Sequence, residues 1–254
     1  MAPRLKALWD TDAAAFGGWC AIPSSVPAEF LAAEGFDYIG IDCQHGFAGP
    51  ETLISMLQAV SHYDVPAVVR VPTGSGWWIE RALDLGAEAV IVPMVNTADE
   101  AAAAVAHCRY PPLGDRSYGP IRAELVMSPA PRSANDTVVC MVMVETAAAV
   151  EAIDEICATP GLDGVYIGPV DLAISLGQPP RLAPVPGPHA DAMERVRAAA
   201  VAHGIIAGVH SASGDQAREY AEQGYRMITV SSDLALMRSY ARTQLRNARG
   251  IDQI

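Results

Sequence analysis

Short apolar runs rich in valine and isoleucine alternate with longer alanine-rich stretches of helical period, and the alternation continues along the whole chain. Brief runs bounded by turn signals read as strands, whereas apolar positions recurring every three or four residues read as helices. The pattern predicts strands near 18–22, 38–42, 67–71, 89–93, 138–145, 164–168, 205–209 and 227–230, which makes eight. Between them it predicts helices over 27–34, 50–62, 77–85, 98–108, 147–158, 190–203, 214–223 and 232–249. Gly35, Gly86 and Gly224 each stand just before a strand, where a left-handed residue would end the preceding helix. Two connections are too long to be plain turns, 110–137 and 178–189. The second carries Pro179, Pro180, Pro184, Pro186 and Pro188, which exclude regular structure. Such loops are expected to act as lids or oligomer contacts.

Strand, helix, strand without a break in composition argues for one parallel-sheet domain over residues 1–254. Eight units in roughly 250 residues is the size of a (β/α)8 TIM barrel. A doubly wound sheet is the alternative. With 51% hydrophobic residues the chain can bury a large core, so disorder is excluded. Apolar runs such as 138–144 fall far short of the roughly 20 residues of a membrane span, and no charged-then-apolar leader opens the chain. With 17 basic against 29 acidic residues the net charge is −12, which disfavours nucleic acid and anionic membranes as partners. The five cysteines are unpaired in spacing and sit mostly within apolar runs, the signature of buried, reduced thiols in a cytoplasmic protein. Lys6 is the only lysine and lies outside the predicted strands, so Schiff-base chemistry from a core strand is excluded.

In a parallel barrel the chemistry belongs at the strand C-termini. Four predicted strands end in polar residues there: Asp42-Cys43-Gln44-His45 after the second, Arg70 at the third, Glu145 at the fifth and Gly168-Pro169-Val170-Asp171 after the sixth. Glu145 and Asp171, one β/α unit apart, are expected at equivalent positions on neighbouring strands, about 5 Å apart in backbone. Two such acids call for a divalent cation such as Mg²⁺ or Mn²⁺, or else they cap the helices that follow. The spacing of Asp42 and His45 suits a carboxylate that orients an imidazole for acid–base work, although a hydrogen-bonded loop histidine has the same spacing. Arg70 on an apolar strand needs an anion, either a substrate carboxylate or a structural partner. The turn at Gly168 offers first-turn amides to an anion.

Taken together these segments resemble the HpcH/HpaI family of class II pyruvate aldolases. The resemblance rests on Gly18-Trp19, on Asp42-x-Gln44-His45-Gly46 and on Val69-Arg70-Val71-Pro72. It continues through Val92-Pro93-Met94-Val95, Arg109-Tyr110-Pro111-Pro112-x-Gly114-x-Arg116 and Val144-Glu145-Thr146, and is most specific in Gly161-Leu162-Asp163-Gly164-Val165-Tyr166-Ile167-Gly168-Pro169-x-Asp171-Leu172. The resemblance implies that Glu145 and Asp171 hold a divalent metal (Mg²⁺, Mn²⁺ or Co²⁺) that chelates a 2-oxoacid. His45 with Asp42 would manage protons, and Arg70 would stabilise the enolate. The turn Gly168, Pro169, Val170 and Asp171 would take the substrate carboxylate through its amides. Trp19 and Gln44 join the substrate-binding set, and Asp84 is implied to reach the neighbouring subunit's site in a homo-hexamer, a trimer of dimers whose last helix, 232–249, is exchanged.

The implied reaction is reversible aldol addition of a pyruvate or hydroxypyruvate enolate to an aldehyde, with retro-aldol cleavage of 4-hydroxy-2-oxoacids in reverse. Gln44, Met143 and Ser117-Tyr118 depart from the usual residues, and His210 stands near the aldehyde where relatives are usually apolar; otherwise it is a solvent-facing loop residue. Two other readings remain. A citrate-lyase-type acyl-CoA lyase on the same fold would want a basic rim, and a non-catalytic scaffold barrel would not need Asp42, His45, Arg70, Glu145 and Asp171 together.

Overall fold

The computed structural model describes residues 4–72, 74–127 and 130–250. Eight parallel strands pair each with the next and the last with the first, closing a barrel: β1 (Ala15–Cys20), β2 (Tyr38–Asp42), β3 (Ala67–Arg70), β4 (Ala89–Val92), β5 (Val139–Val144), β6 (Gly164–Ile167), β7 (Ile206–His210) and β8 (Met227–Ser232). This is the (β/α)8 architecture that the periodicity predicts. The helices are α1 (Arg4–Trp9), α2 (Ser25–Ala33), α3 (Pro50–Val60), α4 (Gly76–Asp84), α5 (Ala98–Cys108), α6 (Ala123–Val126), α7 (Pro131–Thr137), α8 (Ala147–Glu151), α9 (Ile153–Cys157), α10 (Pro169–Ser175), α11 (Pro188–Ala202), α12 (Gly214–Gln223) and α13 (Asp233–Ala248).

Local chemistry explains the boundaries. Ser24, Thr97, Thr146, Ser213 and Ser232 each accept a first-turn amide of the helix they precede. Gly35, Gly86 and Gly224 have φ of 83°, 94° and 100°, so they are the expected left-handed stops. β1 lies three residues earlier than its sequence pattern suggests. Its first residues, Ala15 and Phe16, pair with Met227 and Ile228 of β8, whereas the amides of Ala21 and Ile22 turn away onto the Asp233 carboxylate. The connection over 110–137 carries α6 and α7, with residues 128 and 129 outside the described set. The other long connection is irregular until Pro188, which starts α11 at a position where a missing N–H costs nothing.

Alternation within the strands sorts side chains into two layers. Outward residues such as Ile39, Ile41, Val69, Val142 and Val144 pack under the helices, while Tyr38, Val68, Ile91, Met141, Met143 and Tyr166 fill the barrel. Trp19 belongs to the inner layer and lies over Gly40, where a Cβ would stand 2.2 Å from its ring. α1 closes the N-terminal end: Lys6 Nζ is 2.8 Å from Asp163, Arg109 reaches the same carboxylate at 2.7 Å, and Arg4 holds Glu88. α13 behaves differently from the other long helices. Only Asp233 in it is buried, and Leu236, Met237, Tyr240 and Leu245 are exposed.

Candidate active site

The same alternation that fills the barrel decides what reaches its open end. On β2 the inward series is Tyr38, Gly40, Asp42; on β3 it is Val68, Arg70; on β5 it is Val139, Met141, Met143, with Glu145 next in phase. Tyr38, Thr229 and Tyr166 join hydroxyls deep in the barrel, at 2.9 and 2.6 Å, and Trp19 is stacked above Tyr166 at 6.4 Å. The inner core therefore ends in a polar floor.

Register places Asp42 beside Arg70 on the next strand. Arg70 Nε donates to Asp42 Oδ1 at 2.9 Å and Nη2 to Oδ2 at 2.5 Å, a bidentate fork. The Asp42 carboxylate also accepts the amides of Gln44 and His45 and, at 3.4 Å, the Trp19 indole N–H. Burial works to raise the pKa of this carboxyl, but the guanidinium and the two amides outweigh it and hold Asp42 below the usual carboxylate range. The spacing-based pairing of Asp42 with the His45 imidazole is therefore corrected. Asp42 touches His45 only through the backbone, because a guanidinium one strand away occupies both carboxylate oxygens. Arg70 Nη1 is left facing the cleft, 4.0 Å from Met143 Sδ.

Glu145 is 2% exposed and accepts the Met94 amide on Oε1 at 2.8 Å. Gly168 leaves room for Oε2, since a Cβ there would lie 2.6 Å from it. Burial pushes the Glu145 carboxyl up, and the nearby Asp171 charge pushes the same way against the Met94 amide and Arg70. The two acids are not at equivalent strand-end positions as expected: Glu145 directly follows β5, whereas Asp171 is the third residue of α10, one turn beyond β6. Among the described residues neither forms a salt bridge. The two form a carboxylate, oxygen-only donor set whose buried member has no salt-bridge partner, and this fits a hard divalent cation. Among the described residues no group of three or more His, Cys, Asp and Glu is arranged to hold a metal.

An open cleft of about 260 Å³ sits over this floor. His45, Arg70, His210 and Asp171 line it, with Met143, the turn Gly168, Pro169, Val170, and Leu182 from the proline-rich connection. α10 starts at Gly168 with no side-chain cap, so the amides of Val170 and Asp171 remain available. His210 ends β7 with its ring edge-on to Trp19, centroids 5.6 Å apart, so it belongs to the cleft and not to a solvent-facing loop. Burial, helped by the Arg70 charge, lowers its pKa to about 4, and the imidazole is neutral. Gln44, on the loop after β2, is half-buried with its Oε1 buried and without a hydrogen-bond partner, and it is not among the residues that line the cleft.

Asp84 is not brought to the cleft within one chain. It pairs with the buried Arg116 at 2.7 Å, and Arg116 in turn stacks over Tyr110. Lys6 is at the opposite end of the barrel, which agrees with the exclusion of Schiff-base chemistry. Leu182 in the cleft lining and Met94 behind Glu145 are residues that strand and helix patterning misses. Met94 contributes a backbone amide, which leaves no side-chain signature, and Leu182 sits in a segment without periodicity.

Residues 17–239 match the family model for HpcH/HpaI aldolase/citrate lyase. The chain is 40% identical over 227 residues to a 4-hydroxy-2-oxovalerate aldolase of Rhodococcus jostii (strain RHA1), covering 87% of this chain and 86% of that one. It is 35% identical over 249 residues to a hydroxypyruvate/pyruvate aldolase of Rhizorhabdus wittichii, covering 98% and 99%. Among solved structures, an HpcH/HpaI aldolase/citrate lyase family protein from Burkholderia cenocepacia J2315 superposes with a TM-score of 0.89 at 36% identity, over 96% of this chain and 98% of that one. A citrate lyase beta subunit from M. tuberculosis, complexed with oxaloacetate and magnesium, shares the fold at 20% identity and a TM-score of 0.54, over 87% and 93%. The chain belongs to the HpcH/HpaI aldolase/citrate lyase family, a family of carbon–carbon lyases.

Proposed function

We propose that this family member is a divalent-metal-dependent aldolase that adds the enolate of pyruvate or hydroxypyruvate to an aldehyde and cleaves 4-hydroxy-2-oxoacids in reverse. The observation that carries the reading is the carboxylate pair Glu145 and Asp171, neither in a salt bridge among the described residues, near a forked Arg70 at the open end of the barrel. When bound, Mg²⁺, Mn²⁺ or Co²⁺ held by these two carboxylates supplies a Lewis acid for the 2-oxoacid.

The chain's own groups supply the rest. Val170 and Asp171 present first-turn amides that suit the substrate carboxylate. Arg70, fixed by Asp42 on two of its nitrogens, keeps Nη1 for the oxygen that becomes negative as the enolate forms, and because it is already in place it needs no reorganisation. His45 is exposed at the cleft mouth on the loop after β2, a position from which an imidazole can take or return a proton at C3 or at the aldehyde oxygen. Trp19 and Met143 exclude water from the floor. Removing the metal with EDTA should abolish exchange of the pyruvate methyl protons with D₂O, and adding Mg²⁺, Mn²⁺ or Co²⁺ should restore it. A borohydride-trapped substrate adduct, or exchange that survives chelation, would overturn the assignment.

The same proposal includes assembly. The apolar face of α13 is exposed, and α13 buries almost nothing of itself against its own barrel, which suits a helix exchanged between subunits of a homo-hexamer. Asp84 would then act at a neighbouring cleft. Five buried free cysteines suit a reducing cytoplasm, and no helix among the described residues is long and apolar enough to cross a membrane.

A further inference from the structure

Met94 has a φ of 58°, one of only two non-glycine residues among those described with a positive value. A side chain in the left-handed region is disfavoured, and the methionine side chain is itself half exposed, so packing does not hold it there. The conformation has one visible product: it turns the Met94 N–H onto Glu145 Oε1 at 2.8 Å.

Asn96 spans both ends of that hydrogen bond. Its Nδ2 donates to the Met94 carbonyl at 2.8 Å, and its Oδ1 accepts the hydroxyl of Thr146, the residue covalently attached to Glu145. Its own amide donates to Glu100 Oε2 at 2.6 Å, which anchors it to the start of α5. Thr146 in turn caps α8 by accepting the Ala149 amide. The β4–α5 loop and the start of α8 are thus tied together by one side-chain amide with Glu145 between them.

We propose that Asn96 and the left-handed Met94 form a clamp that positions Glu145 for the metal, with Asn96 as a positioning residue. The inference rests on the assignment of Glu145 as a metal ligand. Oε1 is fixed by the Met94 amide, and Gly168 gives Oε2 room, so the carboxylate is presented in one orientation. Partners that orient a metal ligand typically contribute 10- to 100-fold in metal affinity.

The test is Mn²⁺ affinity by calorimetry on the full chain, with thermal melts of the metal-free protein alongside. Asn96→Ala should weaken Mn²⁺ binding about 10- to 100-fold. Met94→Gly should bind as wild type, because glycine adopts this conformation freely, and Met94→Val should weaken binding, because a β-branched residue resists it. The decisive variant is Asn96→Ala combined with Met94→Gly: removing the backbone resistance should recover most of the lost affinity, which a general loss of packing would not allow. Unchanged affinity in Asn96→Ala or in Met94→Val, or no recovery in the double variant, overturns the clamp. If Asn96→Ala does not fold, the Met94→Gly and Met94→Val pair decides alone. Glu145→Gln separates the two assignments: retained Mn²⁺ affinity there removes the metal site and the clamp together, whereas lost affinity there with wild-type binding in Asn96→Ala removes the clamp only.

Discussion

The two ends of the barrel treat carboxylates in opposite ways. At the N-terminal end Asp163 faces Lys6 and Arg109 and accepts the Cys140 amide, and Glu88 takes Arg4 and the Leu5 amide. At the C-terminal end Asp42 is saturated by Arg70, but Glu145 has one amide, a second carboxylate nearby and only the more distant pull of an Arg70 already forked onto Asp42. A buried carboxyl without a salt bridge is costly to ionise, which sets Glu145 apart from the paired acids and makes its end of the barrel the candidate for binding. The paired acids hold the fold; the unpaired one is available for chemistry.

The largest separation of the two ends should come from His45→Ala. A positioned acid–base group contributes about 10²- to 10⁴-fold in rate, and an exposed loop imidazole contributes little to folding. Steady-state kinetics should show that loss with an unchanged melting temperature; a fall below tenfold would move His45 to a structural role. Asp163→Ala is the mirror experiment. It strands a guanidinium that is 5% exposed and should cost about 3 kcal/mol of stability, read as a large drop in denaturation midpoint. The rate per folded molecule should stay near wild type, because Asp163 lies at the end of the barrel away from the cleft.

Glu145→Gln tests the contrast directly. Gln can keep the Met94 hydrogen bond while removing a charge that burial and Asp171 both disfavour, so the metal-free variant should be more stable than wild type by about 1 kcal/mol, a few degrees in midpoint. Metal should raise the midpoint of the wild type and not that of the variant. Destabilisation of the metal-free variant would place Glu145 with Asp163 as a structural acid.

Sequence periodicity carries the barrel well, because a closed parallel sheet needs apolar alternation in every strand and a helix after each, and both leave local marks. It carries less of the site. Asp42 and Arg70 meet through the register of neighbouring strands, which the spacing of Asp42 and His45 within one loop does not reveal. Counting one β/α unit from Glu145 puts Asp171 at a strand end, but the Gly168-Pro169 turn moves it onto a helix. Met94 acts through its backbone, and α13 exposes an apolar face that looks like an ordinary core stripe in sequence. Such features depend on three-dimensional neighbours, and no local pattern encodes them.

The smallest expected effect concerns His210, whose burial at the open end makes native stability pH-dependent on the acid side. Its folded pKa of about 4 lies below the ordinary histidine value of about 6.5, so above pH 6.5 both folded and unfolded chains carry it neutral and it contributes nothing to pH dependence. As pH falls from about 6.5 toward 4 the unfolded chain takes up a proton that the native ring refuses, and native stability is lost across that window. His210→Gln should therefore lose less stability between pH 7 and pH 4.5 than the wild type, a difference of a few degrees in midpoint. The same neutral ring sits against Trp19 in the cleft, so it offers one donor and one acceptor nitrogen beside the enolate. Short hydroxylated aldehydes can satisfy such a group and apolar ones leave it unpaired. His210→Phe should accordingly shift kcat/KM toward apolar aldehydes while pyruvate methyl exchange, which depends on Arg70 and the carboxylate pair, stays unchanged. Equal loss in both measurements would mean that His210 supports the enolate side of the cleft, and the division between a charged donor side and a neutral acceptor side would fail.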